Sequence, residues 1–193
     1  MEADRLRRIV ASAQTGCADG FNELLEAYGP RLLAYFFRAT GDQYDAEDLL
    51  GELTLRLVRR LPQYVHRGRF DQWLFRIAAN MVRDRIRRRK ASPGVLSLAD
   101  EDAARRALSD RIAAGGPATE APVMAAEAAE QLQAALEKLD ERTKQMILLR
   151  HFGEMSFKEI AEIFECPLGT VLARVHRGLR TLRRLIGEDD GPS

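Results

Sequence analysis

Apolar residues recur at spacings of three and four through nearly every informative window of this chain, and the alternating, turn-punctuated runs expected of strands are missing. That period commits the chain to an all-α fold. It is interrupted on a large scale once. Between Ala91 and Pro122 lie Ser92-Pro93-Gly94, an Ala-rich acidic stretch and Gly115-Gly116-Pro117, with too few large apolar side chains to build a core. The pattern predicts two small helical domains, 1–92 and 123–193, joined by a flexible linker at 93–122 with room for a short helix from Asp100 to Leu108. A hydrophobic content of 46% over 193 residues is enough to bury a core in such an arrangement.

Punctuation residues divide the first domain. Asp19 is placed to cap a helix from Phe21, and Gly29-Pro30 is expected to interrupt it, with Pro30 opening a second helix that carries Leu32, Leu33, Tyr35 and Phe36. A third helix is expected from Asp45 as N-cap to about Leu61, where Pro62 stops it. A loop with Tyr64, His66 and Gly68 follows, then a helix from Asp71 to about Lys90.

In the second domain Ser156-Phe-Lys-Glu159 has the form of a capping box, in which each end of the tetrad satisfies the other's backbone N–H. The helix it starts carries Phe157, Ile160, Ala161 and Phe164 on one face. After Glu165-Cys166-Pro167 a longer helix begins, with Val171, Val175, Leu179, Leu182 and Ile186 expected inward and Gly187 closing it. A short helix, a tight turn and a longer helix make a helix-turn-helix. From Cys166 to Ile186 there are five Arg and no acid, and Thr170, Arg174, Arg177, Thr181 and Arg184 fall on the expected outer face. Guanidinium groups on such a face match phosphates and guanine edges in a major groove, which admits one α-helix. The alternative is a solvated basic face on a packing helix.

Lys and Arg number 30 against 29 Asp and Glu, so functional charge must be local. Two regions concentrate it with opposite sign. Between Gly41 and Leu53 there are five acids and no base: Asp42, Asp45, Glu47, Asp48 and Glu52. Complementing the positive end of a helix explains some of them. Leu49, Leu50, Leu53, Leu55, Leu57 and Val58 spread too widely around that helix to face one core, and an acid-rimmed apolar patch suits a basic protein partner while repelling DNA. On the Asp71 helix, Leu74, Ile77, Ala78, Met81 and Val82 form the buried face. Trp73, Arg76, Asn80, Arg83 and Arg87, spaced three, four, three and four, share an exposed stripe beside Tyr64 and Phe70. Rings that stack on bases, an amide for a base edge and guanidiniums for phosphates suit an unpaired nucleic-acid strand. For Phe70 and Trp73 a core role competes with that one.

Three segments together, Asp45-Ala-Glu-Asp-Leu-Leu with Glu52, Phe70-Asp-Gln-Trp-Leu-Phe-Arg-Ile-Ala-Ala-Asn80, and Phe157-Lys-Glu-Ile-Ala-Glu-Ile with Pro167-Leu-Gly-Thr-Val171 and Arg174-Val-His-Arg177, resemble bacterial RNA polymerase sigma factors of the extracytoplasmic-function (ECF) group. The resemblance covers about residues 18–90 and 127–186. It implies that Asp45, Glu47, Asp48, Leu49, Leu50, Glu52 and Leu53 dock on core RNA polymerase. It implies that Tyr64, Phe70, Trp73, Arg76, Asn80, Arg83 and Arg87 open and bind the single-stranded minus-ten promoter element, with Asn80 at a flipped-out base. It implies that Thr170, Leu172, Ala173, Arg174, His176 and Arg177 read the double-stranded minus-thirty-five element. Leu172 and Ala173 stand where the family often has a basic or Met residue followed by Ser, which favours apolar contact such as a thymine methyl. Family members are commonly held by an anti-sigma factor, so such a partner is implied as well.

The linker agrees with this picture on separate grounds. Thirty residues stretch to ~100 Å but average roughly 30 Å as a coil, about nine base pairs of duplex, so the arm alone cannot fix the spacing of two DNA elements. A larger body must hold both domains. The chief rival is a dimeric helix-turn-helix repressor or activator that binds operators without polymerase, which leaves the acidic helix and the aromatic-amide-basic stripe unexplained. A second rival is a membrane-surface protein with basic amphipathic helices.

Catalysis is not expected. His66, His151 and His176 have no ligand spacing to each other or to Cys, and there is no nucleophile elbow or phosphate loop, so neither metal nor cofactor is anticipated. Cys17 and Cys166 make a poor disulfide framework, no stretch approaches a membrane span, and the first sixteen residues lack the apolar run of a signal peptide. A cytoplasmic protein is the expectation.

Overall fold

The computed structural model describes residues 3–66, 68–91 and 120–187. The expected linker up to residue 119, including the short helix from Asp100 to Leu108, lies outside them. Among the described residues the architecture is all-helical: α1 (Ala3–Gln14), α2 (Ala18–Thr40), α3 (Gln43–Arg60), a 3-10 turn (Leu61–Gln63), α4 (Phe70–Ala91), α5 (Glu120–Glu137), α6 (Glu141–Phe152), α7 (Phe157–Phe164) and α8 (Leu168–Ile186). The first four helices form one lobe and the last four the other.

α1 is a helix the punctuation signals did not reveal. Leu6, Ile9, Val10 and Ala13 carry its helical period, and Ile9, Val10 and Ala13 are buried. Gln14 at its end donates to the carbonyls of Leu61 and Tyr64 at 3.0 and 2.5 Å, which pins the 3-10 turn beneath it.

α2 runs unbroken through Pro30, against expectation. Removing an interior N–H costs about 3 kcal/mol, yet Pro30 is on the solvent side, where the freed carbonyl can bond water. Leu24, Tyr28, Leu32, Tyr35, Phe36 and Ala39 are buried on both sides of it, and burial of that continuous stripe outweighs the penalty. The helix begins one turn earlier than Asp19 would place it, with Cys17 in the N-cap position. Gly41 ends it in the left-handed conformation (φ 76°), donating its N–H to Phe37 O.

The cap of α3 is Asp42, which accepts from Asp45 N at 2.7 Å, so the helix starts a turn before the expected position. In α4 the expected buried residues Leu74, Ile77, Ala78, Met81 and Val82 are all buried. Phe70, Phe75 and Ala79 are buried too: Phe70 lies among the aromatic rings of its own lobe, and α4 is covered on a second side by the other lobe.

In that lobe both halves of the capping box form: Glu159 N donates to Ser156 Oγ at 3.3 Å and Ser156 N to Glu159 Oε2 at 2.9 Å. α8 buries Val171, Val175, Gly178 and Leu182, spaced four, three and four. Leu179, expected inward, is exposed. Gly178 takes its place in the seam because a Cβ there would stand 2.6 Å from Thr143 Cγ2 and 2.8 Å from Ile147 Cδ1 of α6. Only a glycine permits the two helices to approach so closely.

The hydrophobic core is continuous between the lobes. Tyr35 of α2 meets Phe75 of α4 at 5.5 Å and Phe152 of α6 at 6.2 Å between ring centroids, both edge-on. Polar contacts surround this seam. Arg38 donates to Ala129 O at 2.7 Å, and Arg31 bridges to Glu154 at 3.2 Å.

Candidate nucleic-acid interface

Three surfaces carry the residues singled out above. On α8, Thr170, Leu172, Ala173, His176 and Arg177 are all exposed and stand together. Leu168, Leu172 and Leu179 give this helix an apolar strip in water beside its basic face. Arg174 differs from its neighbours. It is half-buried, and its guanidinium lies 3.0 Å from Asp140 Oδ1 and 3.4 Å from Thr143 Oγ1.

On α4, Asn80 and Arg87 are exposed, and Arg87 pairs with Asp84 at 3.1 Å. Phe70 is fully buried and makes no surface for bases: its ring fills the corner between Tyr28 (5.3 Å) and Tyr64 (5.4 Å). Trp73 lies half-buried on that corner, its ring 4.6 Å from Tyr64 and 5.5 Å from Phe70. Tyr64 and Trp73 thus form a partly open aromatic shelf on a rigid floor. Arg76 and Arg83 point at the other lobe. Arg76 bridges to Glu162 at 3.2 Å, while Arg83 donates to Ile163 O at 2.5 Å and stacks on Phe164 at 5.7 Å. In this arrangement the helix-turn-helix covers part of the stripe.

On α3 the expected docking set divides. Leu49 and Leu53 are buried at 1% and 0% exposure, with Ala46 and Leu57, in the core of the first lobe and not on its surface. The exposed apolar residues of this helix are Tyr44, Leu55 and Val58, at 54%, 63% and 56%; Leu50 is half-buried. Asp45 is turned inward to Arg85 of α4 at 2.6 Å, and the same guanidinium lies 3.8 Å from Asp48 and 3.7 Å from Glu52. Arg85 was not singled out in the sequence, where nothing distinguishes it from the other arginines of the run. Its shortest contact is with Asp45, while Glu47 and Asp48 are exposed, Glu47 accepting from Gln43 Nε2 at 2.6 Å.

Two carboxylates hold the second lobe's helix starts. Partial burial would raise the pKa of Glu159, but hydrogen bonds from the Ser156 hydroxyl and N–H, with Arg69 and Arg76 nearby, outweigh it and hold the group below its ordinary 4.5. Asp140 is likewise opposed by burial and brought below its ordinary 3.8 by the Thr143 hydroxyl and N–H, Arg174 and the Arg142 N–H. A carboxylate depressed in the folded state stabilises it fully above the unfolded pKa and loses that contribution as pH falls through the folded value. The thermal midpoint should therefore drop as the medium is taken below about pH 4.5, and Glu159→Gln should flatten part of the fall. A midpoint with the same acid dependence in both proteins would contradict the assignment.

Two lobes sharing a core, one of them a helix-turn-helix with a basic outer face, define a nucleic-acid-binding class, and the comparisons narrow it. Residues 24–92 match the family model for sigma-70 region 2, and residues 129–182 match that for sigma-70 region 4. The chain is 30% identical to the ECF RNA polymerase sigma factor SigW of Bacillus subtilis, over 93% of this chain and 95% of that one. It is also 30% identical to the RNA polymerase sigma factor CarQ of Myxococcus xanthus, over 90% of this chain and 92% of that one. The fold is like that of the sigma factor RpoE of Bartonella quintana, solved with the anti-sigma factor NepR, at a TM-score of 0.63, 20% identity and coverage of 88% of this chain and 98% of that one. CnrH, solved with the cytosolic domain of CnrY, gives a TM-score of 0.61 at 23% identity, covering 98% and 100%.

The chain belongs to the ECF group of RNA polymerase sigma factors. It directs core RNA polymerase to promoter DNA and initiates transcription there. Among the described residues no helix is long and apolar enough to cross a membrane.

Proposed function

We propose how the work is divided among these surfaces. The first lobe, within 1–92, presents Glu47, Asp48, Glu52, Leu50, Tyr44, Leu55 and Val58 of α3 to the polymerase, and uses Asn80, Arg87 and the Tyr64–Trp73 shelf of α4 to hold separated bases of the downstream element. The second lobe, within 123–193, lays the exposed face of α8 in the upstream major groove, where Leu172 and Ala173 meet thymine methyls and His176 and Arg177 meet base edges or phosphates. Residues 93–122 serve as the tether.

One observation carries this reading: a single core displays an acid-bearing apolar face on α3 and an acid-free basic face on α8, two surfaces of opposite character that one class of partner could not satisfy. Arg76 and Arg83 cannot pair with α7 and with phosphates at once, so the lobes must part before the whole stripe meets DNA. The chain works in the cytoplasm and performs no chemistry of its own. Unstacking bases costs a few kcal/mol, offset by their capture. The structural relative solved with the anti-sigma factor NepR supports an anti-sigma protein as a partner of this chain. Reconstituted run-off transcription tests the division: replacing Asp48 and Tyr44 by Lys and Ala should weaken association with core polymerase, whereas Arg177→Ala should spare association and weaken upstream binding. Loss of polymerase association in Arg177→Ala, or its retention in the α3 variant, would overturn the division.

A further inference from the structure

Every arginine on a recognition helix invites the same assignment, and Arg174 falls between Thr170 and Arg177 on the face expected to meet DNA. Its geometry is otherwise. The side chain is 33% exposed and reaches sideways to the start of α6, where Asp140 already has two tasks. Asp140 Oδ1 accepts Thr143 N at 3.1 Å as the helix cap, and Oδ2 accepts the Thr143 hydroxyl at 2.6 Å. Arg174 joins this group at 3.0 Å from Oδ1. One turn further along α8, Gly178 rests on the methyl of the same Thr143. The start of α6 is thus gripped twice within one turn, at Asp140 by a charged contact and at Thr143 by an apolar one.

Two contacts one turn apart fix both the approach of α8 and its rotation about its own axis. Rotation matters more for reading bases. A turn of ~10° carries a side-chain tip at a radius of ~5–6 Å through ~1 Å. The useful distance window of a hydrogen bond is only about 0.5 Å wide.

We propose that Arg174 is a positioning residue: paired to Asp140, it sets the rotation of α8 and thereby the register in which Leu172, Ala173, His176 and Arg177 meet the upstream element. This rests on the reading of α8 given above. A phosphate-binding arginine and a positioning arginine differ in two measurable ways. The first contributes about one unit to the salt dependence of binding and acts on all sequences alike. The second leaves the salt slope unchanged and alters the ranking of sequences.

The test uses holoenzyme assembled from core polymerase and the full chain, on a promoter selected with the wild type and on single-base variants of its upstream element. Arg174→Ala and Asp140→Asn are compared; Asn is as good an N-cap as Asp, so the second variant removes the charge while keeping α6 started. Each should reduce discrimination between the selected and altered elements about tenfold, with the wild-type salt slope, and the double variant should be no worse than the poorer single one. A uniform loss of affinity in Arg174→Ala with a slope smaller by about one, beside a wild-type profile for Asp140→Asn, would overturn the proposal in favour of a phosphate contact. A wild-type holoenzyme indifferent to every upstream substitution would overturn the reading of α8 and the proposal with it.

Discussion

Asn80→Ala should reduce open-complex formation by the holoenzyme about ten- to a hundredfold while leaving its assembly with core polymerase unchanged. Asn80 stands on the solvent side of α4, between helical turns whose inward residues Ile77 and Met81 are buried, so truncation leaves no cavity and stability should move by less than about 0.5 kcal/mol. The effect is confined to the bound state. An amide supplies a donor and an acceptor to a base edge, and leaving such a group without its partner costs about 1–3 kcal/mol. Permanganate reactivity of thymines in the downstream element reads the opened strand directly. A footprint equal to that of the wild type would remove Asn80 from the melting surface.

The second large effect concerns Arg83, which is expected to act through different contacts in two settings. In the free chain its guanidinium joins the lobes through Ile163 O and the ring of Phe164. Arg83→Ala should loosen that seam, seen as faster hydrogen exchange in α7 and a larger radius of gyration. On the division of labour proposed above the lobes are parted in the holoenzyme, so there the seam does not count and only a lost phosphate contact registers. Promoter affinity should fall about tenfold, with a salt slope smaller by about one. Arg83→Lys separates the two roles, because Lys keeps the charge but lacks the planar fork that stacks on Phe164. It should resemble alanine in the free chain and the wild type on the promoter. A promoter affinity untouched by either substitution would place Arg83 wholly in the seam.

How far the sequence went can be judged residue by residue. The capping box at Ser156 and Glu159 and the inward set Val171, Val175 and Leu182 were legible because they are local: caps and helical period depend only on near neighbours. The burial of Leu74, Ile77, Ala78, Met81 and Val82 was legible for the same reason. Errors arose where distant parts meet. Pro30 sits inside α2 because a stripe of buried residues on either side holds the helix together, which no local rule expresses. Leu179 lost its inward place to Gly178 because α6 comes unusually near. Leu49 and Leu53, which the family resemblance places at the polymerase, are buried in the first lobe, and the apolar spread on α3 does not itself say which residues face in. Arg174 and Arg85 looked like other basic residues until Asp140 and Asp45 were found beside them. The packing of one lobe on the other, across a segment of some thirty residues, left no signature in the chain at all.

That Arg76 and Arg83 are held by α7 makes the two lobes thermodynamically linked. Whatever engages the helix-turn-helix and frees those guanidiniums raises the affinity of α4 for its strand, and capture of the strand must raise the affinity of the helix-turn-helix by the same factor. In the free chain the two surfaces are therefore masked and bared together: a ligand that draws the helix-turn-helix off α4 readies both at once, and a holoenzyme whose lobes are already parted no longer carries that linkage.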